Sequence, residues 1–161
     1  MKTIFLYLLL TAALFIPACA ESPGKNPQEA LPMLGTLKTD AIEIGEGAKD
    51  AYVFIDPKCL KSRDFLETIK DNPTLRKTFH YYIFLYDMPQ VSSETVINAV
   101  YSAPSPKEAV FTYMLDHKRL SKETGETPPQ AIERINRIKK VAEKIGIDRT
   151  PYLIVDKRKQ P

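Results

Sequence analysis

The sequence is poor in the residues that build metal centres and cofactor sites. Its 161 residues include only two cysteines and two histidines. No spacing of these residues with carboxylates matches a metal-ligand pattern, and no glycine-rich loop of the phosphate-binding kind occurs. With 23 basic and 20 acidic residues, the chain also lacks the basic excess that favours nucleic-acid binding. We therefore expect no metal, no cofactor and no nucleic-acid partner.

The one long apolar run, residues 4–16, follows a single charged residue, Lys2. That run is short for a transmembrane helix, and the small residues at 18–20 follow it as in an export signal. Two cleavages fit. Signal peptidase would cut after Ala20; alternatively, residues 16–19 resemble a bacterial lipobox, in which Cys19 becomes the lipidated first residue. We interpret residues 1–20 as a signal peptide, 21–40 as a polar, proline-containing linker and 41–161 as one domain.

If Cys19 is removed or lipidated, Cys59 is the only thiol of an exported chain. A leftover cysteine in an oxidising compartment suggests intermolecular pairing or a reactive thiol. The alternative is a buried cysteine that acts as a small hydrophobic side chain. The basic and polar neighbours of Cys59 favour the reactive interpretation; they are Lys58, Lys61, Ser62 and Arg63.

Cys59 also stands at a predicted junction between a strand and a helix. The β-forming run Tyr52–Ile55 is broken by Asp56-Pro57, and an amphipathic helix begins just after the cysteine. The positive end of a helix dipole and its unpaired N–H groups stabilise a thiolate, which is the nucleophilic form of cysteine.

Apolar periodicity along the chain predicts four strands and four helices. We expect the strands at 41–44, 52–55, 79–86 and 152–155. The helices are expected at 60–70, 92–101, 106–117 and about 128–145, the last two opened by capping boxes at Ser105 and Thr127 and the last ended by Gly146. The almost wholly apolar third run indicates a strand covered on both faces. The order predicts an α/β domain with a parallel strand pair and a helical insertion.

Two segments, residues 54–62 and 150–156, resemble corresponding parts of the thioredoxin superfamily. The first carries the pattern Asp-Pro-x-Cys-x-x after a core strand, and the second carries Thr-Pro before a later strand. Over residues 41–155 the chain most resembles bacterial periplasmic disulfide isomerases of the DsbC/DsbG kind. The resemblance implies a thioredoxin-like α/β fold with a helical insertion before the Thr-Pro strand. It also implies a cis peptide bond before Pro151, with Cys59 as the attacking cysteine and Thr150-Pro151 as the loop that binds substrate.

The chain departs from this pattern in three ways. Ser62 replaces the second, resolving cysteine of the motif, so the chain is a monothiol variant. Ser62 is a candidate catalytic residue if its hydroxyl hydrogen-bonds the thiolate, and a solvated serine in the first helical turn is the alternative. Residues 21–40 are too few for the N-terminal dimerisation domain of those isomerases. The C-terminal strand and helix expected after Val155 are missing, which would leave 152–155 as a sheet edge.

The resemblance and its departures support three hypotheses for function. The first is thiol–disulfide exchange in the bacterial periplasm, in which Cys59 reshuffles disulfides of cysteine-containing exported proteins. A substrate thiol or a thiol reductant partner would resolve the mixed disulfide, and a lipid on Cys19 would tether the protein to a membrane. The second is a non-catalytic binding or accessory module of the thioredoxin fold. The third is a monothiol that accepts glutathione or another small thiol. A Cys–His hydrolase is disfavoured because no histidine lies near Cys59 in the sequence.

Overall fold

A computed structural model describes residues 27–120 and 127–158 of the chain. Its sheet has four strands in the order β1-β3-β2-β4. The central strands β2 (Lys49–Ile55) and β3 (Phe79–Leu85) run parallel. The outer strands β1 (Ile42–Ile44) and β4 (Tyr152–Val155) run antiparallel to β3 and β2, respectively. This confirms the four predicted strands and the parallel pair, with β4 at an edge of the sheet.

The two central strands form the middle of the hydrophobic core, as their apolar sequences predict. Every residue of β2 after Lys49 and the last five residues of β3 are buried. Aromatic side chains pair across the strands, Tyr52 on Tyr82 with ring centroids 5.3 Å apart and Phe54 on Phe84 at 5.1 Å. Such pairs add specific contacts to the burial of apolar area.

Strand β2 begins earlier than the sequence predicted. Lys49 and Asp50 pair with Phe79 and His80, because the preceding turn brings the chain close to the start of β3. Gly45 enters this turn with a left-handed φ of +82°, and a Cβ atom on Gly47 would lie 2.1 Å from the carbonyl carbon of Thr78. Only glycine fits this close approach of two backbones.

The connection from β2 to β3 contains two helices rather than one. Helix α2 covers Leu60–Asp71, as predicted. The sequence Asp-Asn-Pro at 71–73 ends it, but Asn72 also caps a further short helix, Pro73–Thr78, by accepting a hydrogen bond from the Leu75 amide at 3.1 Å. We call this helix α3.

The insertion between β3 and β4 is helical, as expected. It contains α4 (Glu94–Ser102), α5 (Pro106–Met114) and α6 (Pro129–Ile145). The Ser105 hydroxyl accepts from the Glu108 amide and so caps α5. The box predicted at Thr127 does not form, because Pro128 occupies the cap position of α6 without a side-chain bond. Helix α6 ends at Gly146, whose φ of +83° is left-handed.

The residues from 27 to 40, before β1, are folded, and this corrects the linker predicted at residues 21–40. From residue 27 onward the chain forms a 3-10 turn (Pro27–Ala30), helix α1 (Leu31–Thr36) and a second 3-10 turn (Lys38–Asp40). The apolar residues of this segment are buried in the core: Ala30, Leu31, Leu34 and Leu37. The sequence predicted a linker here, whereas packing of these side chains extends the folded domain toward the N-terminus. Residues 1–26, with the predicted signal peptide and Cys19, lie outside the described residues.

A buried carboxylate fixes the start of the domain to helix α6. Asp40 is almost fully buried, and Arg137 donates to both of its oxygens at 2.8 and 2.7 Å. Arg134 donates to the backbone oxygens of Asp40 and Ala41 at 2.8 and 3.0 Å. A two-pronged arginine bond holds both position and orientation, so α6 is anchored by its N-terminal half.

Within the described ranges no helix has the length and apolar character needed to cross a membrane.

Replacement of Leu34 by alanine tests whether residues 27–40 belong to the domain. Leu34 is fully buried, so the truncation should lower the free energy of unfolding by about 2–5 kcal/mol, measured by urea denaturation. Leu60 is 66% exposed, and Leu60→Ala should change it by less than about 0.5 kcal/mol. If Leu34→Ala and wild type have the same free energy of unfolding, residues 27–40 are a linker and not part of the folded domain.

Candidate active site

Cys59 lies at the N-terminal end of α2, immediately beyond the end of the central strand β2. Its backbone is extended, with φ −79° and ψ 123°, and it occupies the N-cap position of the helix. The Cys59 amide donates to the Asp56 carbonyl at 3.1 Å, and the Cys59 carbonyl accepts from the Arg63 amide at 3.1 Å. The predicted junction therefore forms, and it places the thiol at the positive end of the helix dipole.

The Thr150-Pro151 loop lies beside the thiol. The peptide bond between these residues is cis, as the resemblance implies. The Cys59 Sγ lies 3.4 Å from the Thr150 carbonyl oxygen, to which the neutral thiol donates a hydrogen bond. The fold thus brings together residues that are far apart in the sequence, because β4 pairs with the same strand that leads to Cys59.

Ser62 is fully buried one turn after Cys59. Its Oγ accepts a hydrogen bond from the Asp56 amide at 3.3 Å. The hydroxyl proton is therefore free to point elsewhere, and the hydroxyl acts on Cys59 by lowering the pKa of its thiol. The interpretation of Ser62 as a solvated helix-start serine is wrong, since the side chain has no contact with solvent.

The surroundings of Cys59 favour the thiolate. Burial is the largest single influence and acts to raise the pKa of the thiol. The amide and hydroxyl of Ser62, the hydroxyl of Thr150 and the amide of Lys61 together outweigh it, so the pKa of Cys59 lies below its ordinary value. The Thr150 carbonyl accepts only from the neutral thiol and opposes this shift. The donors prevail, and they leave a nucleophile that is more ionised near neutral pH.

Asp56 holds the loop before Cys59 in place, a role that the sequence did not reveal. Its carboxylate is fully buried. One oxygen accepts from the Lys58 amide at 2.8 Å and the Ser93 hydroxyl at 2.6 Å, and the other accepts from the Met88 amide at 3.0 Å. The sequence indicated only that Asp56 ends the strand. Its partners Met88 and Ser93 follow β3, so only the fold brings them to it.

The surface around the thiol is basic and partly apolar. Lys58, Lys61 and Leu60 are exposed, and Lys58 Nζ donates to the Ser92 carbonyl at 2.6 Å. Within residues 27–120 and 127–158, the Arg63 Nε atom is buried without a hydrogen-bond partner. These positions confirm the positive setting that the sequence predicts for Cys59.

His80, which lies in the strand predicted at residues 79–86, is remote from the Cys59 thiol. His80 pairs with Asp50 in the sheet, toward the opposite end of the parallel strands from Cys59, and its Nε2 lies 2.7 Å from Glu43 Oε2. This position removes His80 as a base for Cys59. Among residues 27–120 and 127–158, no three histidine, cysteine, aspartate or glutamate side chains form a group that could hold a metal ion.

Comparison with known proteins finds likeness in structure but not in sequence. No protein-family profile matches the chain, and no curated protein sequence matches it. Among solved structures, the thiol-disulfide exchange protein alpha-DsbA2 of Wolbachia pipientis is similar, with a TM-score of 0.61 at 16% identity. That match covers 81% of this chain and 84% of the other.

Two further structures give similar values. The catalytic domain of Proteus mirabilis ScsC has a TM-score of 0.58 at 15% identity, with coverage of 80% and 85%. A disulfide interchange protein of Neisseria gonorrhoeae has a TM-score of 0.55 at 18% identity, with coverage of 71% and 79%. Together with the sheet order and the Cys59 junction, these likenesses show that the chain has the thioredoxin-like fold.

Replacement of Ser62 by alanine should raise the pKa of Cys59. The substitution removes the hydroxyl that donates to the thiolate and leaves the backbone donors in place, so ionisation becomes less favourable. The pH dependence of Cys59 alkylation by iodoacetamide measures the shift, with Ser105→Ala as a control remote from the thiol. A Ser62→Ala profile that overlays the wild-type profile would show that this hydroxyl does not support the thiolate.

Replacement of Asp56 by asparagine should destabilise the domain. Asparagine keeps one acceptor oxygen, but its NH₂ group would face a backbone donor, Lys58 or Met88. The expected loss of unfolding free energy is about 1–3 kcal/mol, because a buried N–H is left without an acceptor. Urea denaturation measures the loss. The exposed Asp64→Asn variant serves as the control, and indistinguishable midpoints for both variants would exclude the positioning role of Asp56.

Proposed function

We propose that the protein performs thiol–disulfide exchange through Cys59. The observation that carries the proposal is the combination of a helix-start thiol with a lowered pKa and the Thr150-Pro151 loop at 3.4 Å from its sulfur. In this role Cys59 is the nucleophile and Ser62 stabilises its thiolate. Thr150 and Pro151 border the place where a substrate disulfide must lie to meet the sulfur.

The reaction begins with the Cys59 thiolate attacking one sulfur of a substrate disulfide. The substrate S–S bond breaks, a Cys59–substrate disulfide forms, and the other substrate sulfur leaves as a thiolate. A substrate thiolate then attacks the substrate sulfur of this mixed disulfide and releases the Cys59 thiolate. The number of disulfides is unchanged after the two steps, so the outcome is rearrangement without net oxidation.

The serine at position 62 favours this outcome over net oxidation. Cys59 is the only cysteine among the described residues, so within this part of the chain it cannot store an oxidising disulfide with a second thiol. Release of a trapped substrate then depends on a substrate thiol or on an external thiol reductant, which is the partner that we propose. A small thiol such as glutathione would serve in the same way.

The proposed setting is the bacterial periplasm, with cysteine-containing exported proteins as substrates. The export signal predicted at residues 1–20 supports this location, and the likeness in fold to thiol-disulfide exchange proteins supports disulfides as the substrates. A lipid on Cys19 would add a membrane tether. Mass spectrometry of the mature protein from its host tests both, through the cleavage site and the mass added to Cys19.

Refolding of a scrambled-disulfide protein in a glutathione buffer tests the catalytic role. Wild type should accelerate recovery of the native disulfides, and Cys59→Ala should reduce the rate to the uncatalysed background, since the attacking sulfur is absent. Glu67→Gln, an exposed change on the same helix, should retain the wild-type rate. Activity that survives in Cys59→Ala would refute exchange at this thiol.

Mixed-disulfide trapping separates exchange from the alternative role as a non-catalytic binding module. Wild type should accumulate Cys59-linked substrate adducts, and Ser62→Cys should lose them because the added thiol resolves the adduct internally. A stable partner that co-purifies equally with wild type and Cys59→Ala, with no adduct on Cys59, would favour the binding module.

A further inference from the structure

A cavity of about 350 Å³ lies beside the loop that supports Cys59. One wall is the segment after β3, and the other walls are helices α4 and α6; the lining includes Tyr86, Asp87, Ile97, Ile135 and Glu143. Its volume falls at the lower end of the roughly 300–1,000 Å³ typical of small-ligand pockets. None of the steps proposed for Cys59 uses this cavity.

The wall of the cavity is hydrogen-bonded to the loop that leads to Cys59. The Tyr86 amide donates to the Ile55 carbonyl at 2.9 Å, and the Met88 amide donates to Asp56 at 3.0 Å. On the other side, α6 ends shortly before Thr150. The cavity wall and Cys59 are therefore fixed to the same loop.

The cavity combines an apolar floor with an acidic rim. Tyr86 and Ile97 are buried, whereas the rim residues Glu94, Lys139 and Glu143 are exposed. With Asp87, the lining carries three carboxylates against one ammonium group. Glu143 and Asp87 also act on the Tyr86 phenol, whose pKa is raised first by burial and then by these two negative charges. The cavity therefore has a negative potential.

The carboxylate of Glu143 is not explained by the stability of its helix. It lies in the last turn of α6, where the negative end of the helix dipole disfavours an anion. Within residues 27–120 and 127–158, neither Glu94 nor Glu143 makes a side-chain hydrogen bond or an ion pair. Both charges remain available to a ligand.

We propose that this cavity binds a basic side chain, arginine above all, of the substrate polypeptide whose disulfide Cys59 attacks. Arginine has an apolar stem suited to Ile97 and Ile135. Its guanidinium suits the carboxylates at the rim and stacks on an aromatic face such as that of Tyr86. The inference rests on the proposed function, and it names basic residues near the substrate cysteine as a determinant of substrate choice.

Matched chromogenic peptides test the proposal. Each peptide carries one cysteine joined by a disulfide to thionitrobenzoate, which leaves when Cys59 attacks the peptide sulfur and forms the Cys59–peptide disulfide. Arginine is placed at successive positions before and after the cysteine, and the comparison series has citrulline, which has nearly the same shape without the charge. The release of thionitrobenzoate gives the half-saturating peptide concentration and the maximal rate.

We expect the half-saturating concentration to be about two- to fivefold lower for arginine than for citrulline at the position that fits, the scale of one or two exposed ion pairs. The difference should shrink at high salt. It should disappear in Glu94→Gln/Glu143→Gln and persist in Glu67→Gln, which removes one charge outside the cavity.

The outcomes separate the inference from the function on which it rests. Equal values for arginine and citrulline at every position, with normal release of thionitrobenzoate, would overturn the basic-side-chain site and leave exchange at Cys59 intact. An arginine preference that persists unchanged in Glu94→Gln/Glu143→Gln would also overturn it. No release from any peptide would overturn the proposed function, and the inference with it.

Discussion

The buried carboxylate of Asp56 is the contact on which the candidate site depends. It gathers the Lys58 amide, the Met88 amide and the Ser93 hydroxyl around one side chain. The three donors belong to two loops, one after β2 and one after β3. Strand pairing supports neither loop, because both begin where the parallel strands end. The same carboxylate therefore sets the backbone that presents Cys59 and positions the wall of the neighbouring cavity. Loss of this one group would move the thiol and the cavity together.

Ser62 is a second buried polar residue at this site. Ser62 replaces the second cysteine of the thioredoxin pattern, and its side chain makes a hydrogen bond of its own at that position. Its oxygen accepts a hydrogen bond from the Asp56 amide, and the hydroxyl lowers the pKa of Cys59. The hydroxyl thus has a place in the same hydrogen-bonded unit as the buried carboxylate. An unsatisfied hydroxyl at this depth would be costly, so the bond from the Asp56 amide helps to hold the start of the helix.

The sequence predicted most of the elements because their signals are local. Runs of β-forming residues located β2 and β3, and the serine cap before α5 and Gly146 after α6 marked helix ends that formed as expected. The failures have a common cause in tertiary packing. The leucines at 31 and 34 gave too short a pattern to outweigh the prolines around them, and only the core into which they pack makes them helical.

The candidate site likewise contains some residues that the sequence identified and others that only the fold brings together. Cys59 was recognisable from the strand–helix junction, and the resemblance in the second segment indicated Thr150-Pro151. The partners Met88 and Ser93 carry no motif, since every residue except proline has a backbone amide and a single serine hydroxyl is not marked by any spacing. The acidic cavity was equally invisible, because Asp87, Glu94 and Glu143 lie on three separate elements and meet only after the helical insertion packs beside β3.

The early start of the folded domain limits how far the protein would extend from a membrane. Were Cys19 lipidated, only residues 20–26 would separate the anchor from the first described turn. At about 3.3–3.6 Å per residue they span at most roughly 25 Å. A linker that ran to residue 40 would have reached roughly 70 Å by the same measure. The first turn of a tethered form would therefore lie within roughly 25 Å of the lipid surface.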